Sequence, residues 1–371
     1  MTFDSRVIQL VKRYPLTISR GTQATSQNLF VRVEHDGVIG WGEAAPGTGH
    51  GDDFAEAARA QLASFVRGLD IELSQEGIAE AWRKGREAGL PAPALAGLDC
   101  ALWDLLARRE GKPLYQLLGL APTQVVSSVT IGINPTDVVR ERAADILART
   151  GARALKIKLG SPQGIAHDQA NYHAVLEASY RWHPAGTAHG ETAQGGRQDA
   201  SGTTGTRLRV DANGGWSLEA AKLMLDWLAE RGCDYVEQPL PKGLEDQLPA
   251  LFAGRPLPIF ADESCHFAED VEPLADRVDG VNLKLMKCGG ITEALRIVDA
   301  AREHQLQTMI GCMSESSVAI ASGASMGALF DHIDLDSNLN LLDEPVAREM
   351  EWTDGAWNLA TVRSGHGSRV L

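Results

Sequence analysis

The sequence predicts an α/β protein, a (β/α) barrel preceded by an α+β domain. Three observations predict it: short apolar strands alternate with Ala-rich helices from Val125 onward, these strands end in polar or charged residues at a regular interval, and the opening stretch has strands and helices without that repeat. The 371 residues, 44% of them hydrophobic, are enough for a large core and one smaller domain beside it.

Taken in order, residues 1–90 hold the β-like runs RVIQLVKRYPLT, NLFVRVEHDG and IGWGEAAP, then a helical stretch from Asp53 to Lys84. LAGLDCALWDLLARREG, from Leu95 to Gly111, spaces its apolar residues three and four apart and ends in Gly, which predicts an amphipathic helix. The repeat that follows has eight strand ends: VTIGI near Thr130, ALKIKL at Lys158, LRVDAN at Asp211, DYVEQP at Glu237, PIFADES at Asp262, GVNLKL at Lys284, TMIGCM near Gly311 and HIDLD at Asp334. Most are separated by about 22 to 26 residues, the length of a strand, a helix and two loops, and eight such units close a barrel whose chemistry sits at the C-terminal strand ends. The interval from Lys158 to Asp211 is about twice as long, because residues 183–206, HPAGTAHGETAQGGRQDASGTTGT, are nearly devoid of large apolar side chains. This reads as an inserted flexible loop, its His183 and His189 as solvated residues.

A formal net charge of -14 and the lack of any long Lys/Arg block speak against nucleic acid as a partner. The opening MTFDSRVIQLVKRYP has none of the sections of a signal peptide, and no stretch has the apolar length of a membrane span, so a cytoplasmic protein is expected. Cys100, Cys233, Cys265, Cys288 and Cys312 form no CxxC pair and read as reduced packing residues.

The chemistry lies at the barrel's strand ends. Mg2+ takes hard oxygen ligands, a few carboxylates with water and substrate oxygens, and Asp211, Glu237 and Asp262 offer three on consecutive strands. One strand-end acid alone would be a helix cap; three in succession at one period indicate a metal site. Lys156 and Lys158 stand before them and Lys284 after. Two residues apart on a strand, Lys156 and Lys158 share the lumen face. At roughly 6.6 Å and an effective dielectric of about 20 they repel by about 2.5 kcal/mol, enough to bring one toward a usable base near neutral pH. A salt-bridge network with the acids is the competing reading. Bases on two sides of a metal suggest removal of an α-proton beside a carboxylate and its return on the opposite face, giving an epimer.

The KxK of Lys156 and Lys158, the Asp, Glu, Asp series, NLKLMKCGG, GWGEAAP and CMSESS together resemble the enolase superfamily, muconate lactonizing subgroup, over essentially the whole chain. The resemblance implies a (β/α)7β TIM-like barrel (125–345) under an N-terminal α+β capping domain (1–124), with a C-terminal segment (346–371) returning to the cap. It makes Lys158 and Lys284 the acid/base pair, with Lys156 tuning Lys158 and with Asn213 and Glu263 beside the ligands as supporting residues. One Mg2+ per subunit and a homo-oligomer are implied by the same likeness.

HIDLDS adds Asp334 and Asp336, whose side chains point the same way. A DxD at this place in the superfamily's dipeptide epimerases binds the substrate's α-ammonium group, so a dipeptide epimerase is expected, acting at the α-carbon of the C-terminal residue. A polar barrel rim is the alternative for the pair, and muconate-type cycloisomerases and o-succinylbenzoate synthase keep the same lysines and ligands. A non-catalytic scaffold should lack one of the five residues, and a barrel hydrolase should show strand-end His ligands. Acid-sugar dehydratases of related subgroups use a His after the sixth or seventh strand, where this chain has Lys284 and no suitable His near Gly311. Around SRGTQ the chain resembles Ala-Glu epimerases, in which the position of Gln23 can be an Arg that grips glutamate; here a neutral or basic second residue fits at least as well. Arg20, Gln23 and Thr130 are the remaining candidate substrate contacts, with the loops Ser19–Thr25 and Gly47–Asp53, including Asp52 and Asp53, above the mouth.

Overall fold

The structure is a computed structural model that describes residues 1–47, 51, 53–182 and 205–371. The insertion expected at 183–206, with His183 and His189, lies almost wholly outside the described residues, as does Asp52.

An antiparallel meander opens the chain: β1 (Thr2–Ile18), β2 (Gly21–His35) and β3 (Val38–Ala44). The β1–β2 ladder runs to its tip, where Ile18 pairs with Gly21, and a bulge between Val11 and Leu16 bends it. Three helices cover the sheet: α1 (Phe54–Val66), α2 (Gln75–Glu87) and α3 (Ala92–Arg109), followed by the short α4 (Leu114–Leu117). The helical stretch expected from about Asp53 to Lys84 is made of two helices, because Ser74 caps α2 by accepting from Gly77 N (3.1 Å) and so starts a new helix.

Helix α3 corrects a second expectation. Every residue from Pro93 to Ala107 is buried, so the helix is enclosed all round instead of amphipathic. It is wedged between the meander and the barrel. On one side Gly40 and Gly42 let the sheet approach: a Cβ at Gly42 would lie 2.0 Å from the Gly97 carbonyl oxygen. On the other, Asp99 accepts from Thr292 Oγ1 (2.5 Å) and N (3.0 Å), and Trp103 Nε1 donates to Thr292 Oγ1 (3.0 Å).

After β4 (Gln124–Val126) comes the barrel. Its strands are β5 (Ser128–Ile131), β6 (Ala154–Lys158), β7 (Arg207–Asp211), β8 (Cys233–Glu237), β9 (Ile259–Ala261), β10 (Gly280–Lys284), β11 (Gln307–Gly311) and β12 (His332–Asp334). They form one eight-stranded parallel sheet in chain order. The connecting helices are α5 (Thr136–Thr150), α6 (Ile165–Arg181), α7 (Leu218–Ala229), α8 (Leu248–Phe252), α9 (Leu285–Cys288), α10 (Ile291–Glu303) and α11 (Ser317–Ala324). The β5–β12 seam is joined through hydroxyls: Ser128 Oγ donates to Asp334 Oδ1 (2.7 Å) and Ser127 Oγ accepts from Leu335 N (2.7 Å).

Lower in the lumen, Tyr235, Phe260 and His332 pack ring against ring at 4.8 to 5.1 Å, beside Met309 and under the Arg209 guanidinium. This filled layer closes the lumen beneath the C-terminal mouth. The chain ends in β13 (Val346–Arg348), β14 (Glu351–Thr353), β15 (Ala356–Asn358) and β16 (Ser368–Val370); β4 pairs with β15, and His366 N donates to Asp104 of α3.

Candidate metal and proton-transfer site

Strand register assembles the mouth. Lys158 of β6 stands opposite Asp211 of β7, which stands opposite Glu237 of β8, while Lys284 of β10, Gly311 of β11 and Asp334 of β12 share another row. Asp262 follows the last residue of β9. The three acids are at most 1% exposed, and one oxygen from each lies within 4.8 Å of the others.

Four lysines engage these acids. Lys158 Nζ donates to Asp211 Oδ2 (2.5 Å) and Lys284 Nζ to Asp262 Oδ2 (2.6 Å). Lys156 Nζ lies 2.7 Å from both Glu237 Oε2 and Asp334 Oδ2. Lys287 Nζ, which the sequence reading missed, donates to Asp262 Oδ1 (2.5 Å) and to the carbonyls of Asn282 (2.9 Å) and Cys265 (3.0 Å). Its signal was its place one helical turn after Lys284 in NLKLMKCGG. Asn282, also missed, lies two residues before Lys284 on the lumen face and donates to Glu237 Oε1 (2.8 Å).

Of the two lysines expected to yield one usable base, Lys156 is not the one. Burial alone would lower its pKa, but Asp334, Glu237 and Asp211 surround it and hold it well above the usual lysine value. Repulsion between two lysines is outweighed by the acids on neighbouring strands. At Lys284 burial is likewise overcome, by Asp262 and Glu237, and the pKa is raised.

Among the acids, burial disfavours the charged form everywhere. Lys158 and Lys156 overcome it at Asp211, and Lys284 and Lys287 at Asp262, so both stay below the usual carboxylate range. Glu237, pressed by burial and by the Asp211 charge, is pushed up to about 8. A trio so crowded with negative charge that one member resists ionising suits a divalent cation. The donor set agrees with Mg2+: three carboxylates, and nearby the buried oxygens Asn213 Oδ1, Asn282 Oδ1 and Glu263 Oε2, which accept no hydrogen bond from the protein and are available to ion-bound water.

Of the supporting residues, Asn213 reaches the trio directly and Glu263 reaches it through Asn213. Asn213, at φ 44°, donates its N to Asp211 Oδ1 (2.8 Å) and its Nδ2 to Asp211 Oδ2 (3.1 Å) and Glu263 Oε1 (3.3 Å). Gln238, at φ 37° directly after Glu237, accepts from Asp262 N (2.8 Å) and so joins two ligand loops. Two left-handed non-glycine residues beside the ligands mark backbone strain held by the surrounding hydrogen bonds.

On the far side, Asp334 and Asp336 converge on β5. Thr130 N donates to Asp336 Oδ2 (2.6 Å) and its hydroxyl reaches Asp334 Oδ1 (3.5 Å). Asp334 is held low by Lys156 and Lys158 against the effect of burial. Asp336, raised by burial and by Asp334, sits at about 7.

The β1–β2 tip leans over this mouth. Ser19 Oγ and Arg20 Nη1 both donate to the Asn213 carbonyl (2.9 Å each), and Arg20 Nη2 meets Glu263 Oε1 at 2.6 Å. Gln23 is not brought together with the other site residues. It sits on the exposed flank of the hairpin, paired with Leu16 in the β1–β2 ladder, and its backbone carbonyl accepts from Lys12 Nζ (3.3 Å). From the barrel side GWGEAAP and CMSESS explain each other: Glu43 accepts from Ser316 N and Oγ and from Ala319 N, docking the meander on the loop after β11.

Gly311 shapes the catalytic space. A Cβ there would lie 3.1 Å from Lys284 Cε and 3.0 Å from Asn282 Nδ2. Gly311→Ala is therefore expected to displace the Lys284 side chain by a few tenths of an ångström and lower kcat by about 10-fold, less than a full 1 Å misplacement would, with thermal unfolding little changed.

Comparisons with known proteins place the chain in a family. Residues 4–119 match the model of the mandelate racemase / muconate lactonizing enzyme N-terminal domain, and residues 138–370 that of the enolase C-terminal domain-like family. The chain belongs to the mandelate racemase / muconate lactonizing enzyme family of the enolase superfamily. Within it, the chain is 53% identical to a hydrophobic dipeptide epimerase of Roseobacter litoralis, covering 99% of this chain and 98% of that one. It is 48% identical to a hydrophobic dipeptide epimerase of a Flavobacteria bacterium, over 93% of this chain and 92% of the other. Its fold matches the crystal structure of the Enterococcus faecalis dipeptide epimerase complexed with Mg and L-Leu-L-Tyr (TM-score 0.84, 28% identity, 99% and 98% of the two chains covered).

Proposed function

We propose that the chain is a Mg2+-dependent dipeptide epimerase that inverts the α-carbon of the C-terminal residue by two-base proton transfer, with a hydrophobic residue in that position. The observation that carries the reading is the placement of Lys158 and Lys284, each ion-paired to a different member of one carboxylate trio, so that two amines flank one substrate position. Asp211, Glu237 and Asp262 would hold the ion, which supplies positive charge to the substrate carboxylate.

The rest is the work of the chain's own groups. One lysine, neutral, takes the α-proton; the electron pair of the broken C–H bond passes onto the carboxylate; the other lysine, as ammonium, returns a proton to the opposite face. Lys284, held protonated by Asp262 and Glu237, is set to donate. Lys156 balances the trio's charge, and Asn213 and Glu263 orient it. Asp334 and Asp336 receive the α-ammonium group, a use for the pair that a cycloisomerase or synthase substrate would not supply. Hydrophobic specificity is supported by the names of the relatives and by Arg20, whose guanidinium is already engaged by Asn213 and Glu263. Thr130 would flank the substrate's amino end.

The same reading takes 1–124 as a capping domain, 125–345 as the barrel and 346–371 as a segment returning to the cap. It also places a homo-oligomer in the cytoplasm, where the five free cysteines would stay reduced. No described helix is long and apolar enough to cross a membrane.

Incubation with Mg2+ and mixed L,L-dipeptides in D2O, read by mass spectrometry, should place deuterium at one α-carbon of dipeptides with hydrophobic second residues. Absence of exchange from every dipeptide would refute the reading. The pH profile gives a second check. Below about pH 7 Asp336 takes up a proton and its charge is lost to the incoming ammonium, so kcat/KM should fall as pH drops through 7. In the complex the ammonium keeps Asp336 ionised, so kcat should fall only at lower pH. Asp336→Asn should remove the kcat/KM limb.

A further inference from the structure

We infer that Asp168 is a positioning residue for Lys158: its carboxylate ties the loop after Lys158 to the loop after Asp211 and so sets where the Lys158 amine meets substrate. The inference rests on the proposal that Lys158 is one of two bases.

Asp168 lies in the first turns of α6 and is 1% exposed. Its Oδ2 accepts from Gly160 N (3.0 Å) and Trp216 Nε1 (2.9 Å), and its Oδ1 from Ser161 N (2.9 Å). A buried carboxylate must be met by donors, and here none of these three comes from its own helix. Two come from the segment directly after Lys158. The third comes from the loop that follows Asp211 and Asn213, 48 residues along the chain.

These two loops are in backbone contact. Gly160 has φ +76°, and a Cβ there would lie 2.5 Å from the Ala212 carbonyl oxygen and 2.9 Å from Gly215 Cα. Leu159 N donates to the Asp211 carbonyl (2.9 Å), and Trp216 N to the Pro239 carbonyl (3.2 Å) beyond β8. The Asn213 carbonyl in the same loop receives Ser19 and Arg20 from the hairpin. Asp168 therefore closes a chain of contacts that runs from the hairpin through the metal-ligand loop to the last peptide of β6. Residues 211–213 have further restraints in Asn213 and Gln238, whereas the backbone N–H groups of 160 and 161 are both held by the Asp168 carboxylate. Loss of that carboxylate should shift Lys158 more than the metal ligands.

The test uses the full-length enzyme with Mg2+. Asp168→Asn keeps the shape but sets an amide N–H2 against an N–H donor; Trp216→Phe, the milder variant, removes one bond and keeps the ring. Deuterium wash-in is measured separately from the two epimers in D2O, with Lys158→Ala defining which epimer yields its proton to Lys158. Expected for Asp168→Asn is a fall of about 30-fold for that epimer and under about 3-fold for the other, with Mg2+ affinity by calorimetry within about 2-fold of wild type, a misplacement of a fraction of an ångström. Trp216→Phe should show the same asymmetry at about 3- to 5-fold. Equal losses for both epimers, a parallel loss of Mg2+ affinity, or unchanged exchange would overturn the inference. If Lys158→Ala itself exchanges both epimers normally, the two-base reading has failed instead.

Discussion

Lys158→Ala and Lys284→Ala are each expected to abolish epimerisation, lowering kcat by at least about 10³-fold, while each retains α-proton exchange from one epimer. The magnitude follows from a proton-transfer group that no other described residue of the mouth is placed to replace. Lys156 is committed to Glu237 and Asp334, and Lys287 to Asp262 and two carbonyls, so neither is placed to take over. The retained half-reaction follows from geometry. Lys158 rests on Asp211 and Lys284 on Asp262, on either side of Glu237, so deleting one leaves the opposite face served. Deuterium wash-in from the L,L and L,D epimers checks this. Exchange lost from both epimers in both variants would show that the lysines do not act as separate bases.

The second large effect is expected at the metal site. Chelation should remove activity fully and Mg2+ should restore it; Glu237→Gln should weaken Mg2+ binding by more than the 10- to 100-fold typical of outer-sphere changes. Glu237 is central: it accepts from Asn282 and meets Lys156, while its full burial and then the Asp211 charge beside it raise its pKa to about 8. Its proton and the ion compete, so Mg2+ affinity should fall as pH drops below 8, and that dependence should flatten in Glu237→Gln. Calorimetry across pH 6 to 9, a range of about three units around that value, measures both.

The eight strand ends and the reactive residues upon them were legible because strand periodicity is local: a residue's parity states whether it faces the lumen. The amphipathic reading of α3 failed because burial of its second face is imposed by a barrel more than a hundred residues away in sequence, through contacts such as Asp99 with Thr292. The split of α1 from α2 was missed for want of weight on Ser74 as a cap.

By itself, then, the sequence determined the barrel, the carboxylate trio, the flanking lysines and the Asp334/Asp336 pair, since each depends on residue type and short-range spacing. Tertiary structure alone decided who pairs with whom. Lys156 turns to Asp334, 178 positions away, and Arg20 meets Asn213 and Glu263 while Gln23 stays on an exposed flank. Barrel closure and the docking of the hairpin set these neighbours, and ion-pair energies vary so steeply with distance and burial that the protonation of each group is undefined until the neighbours are in place.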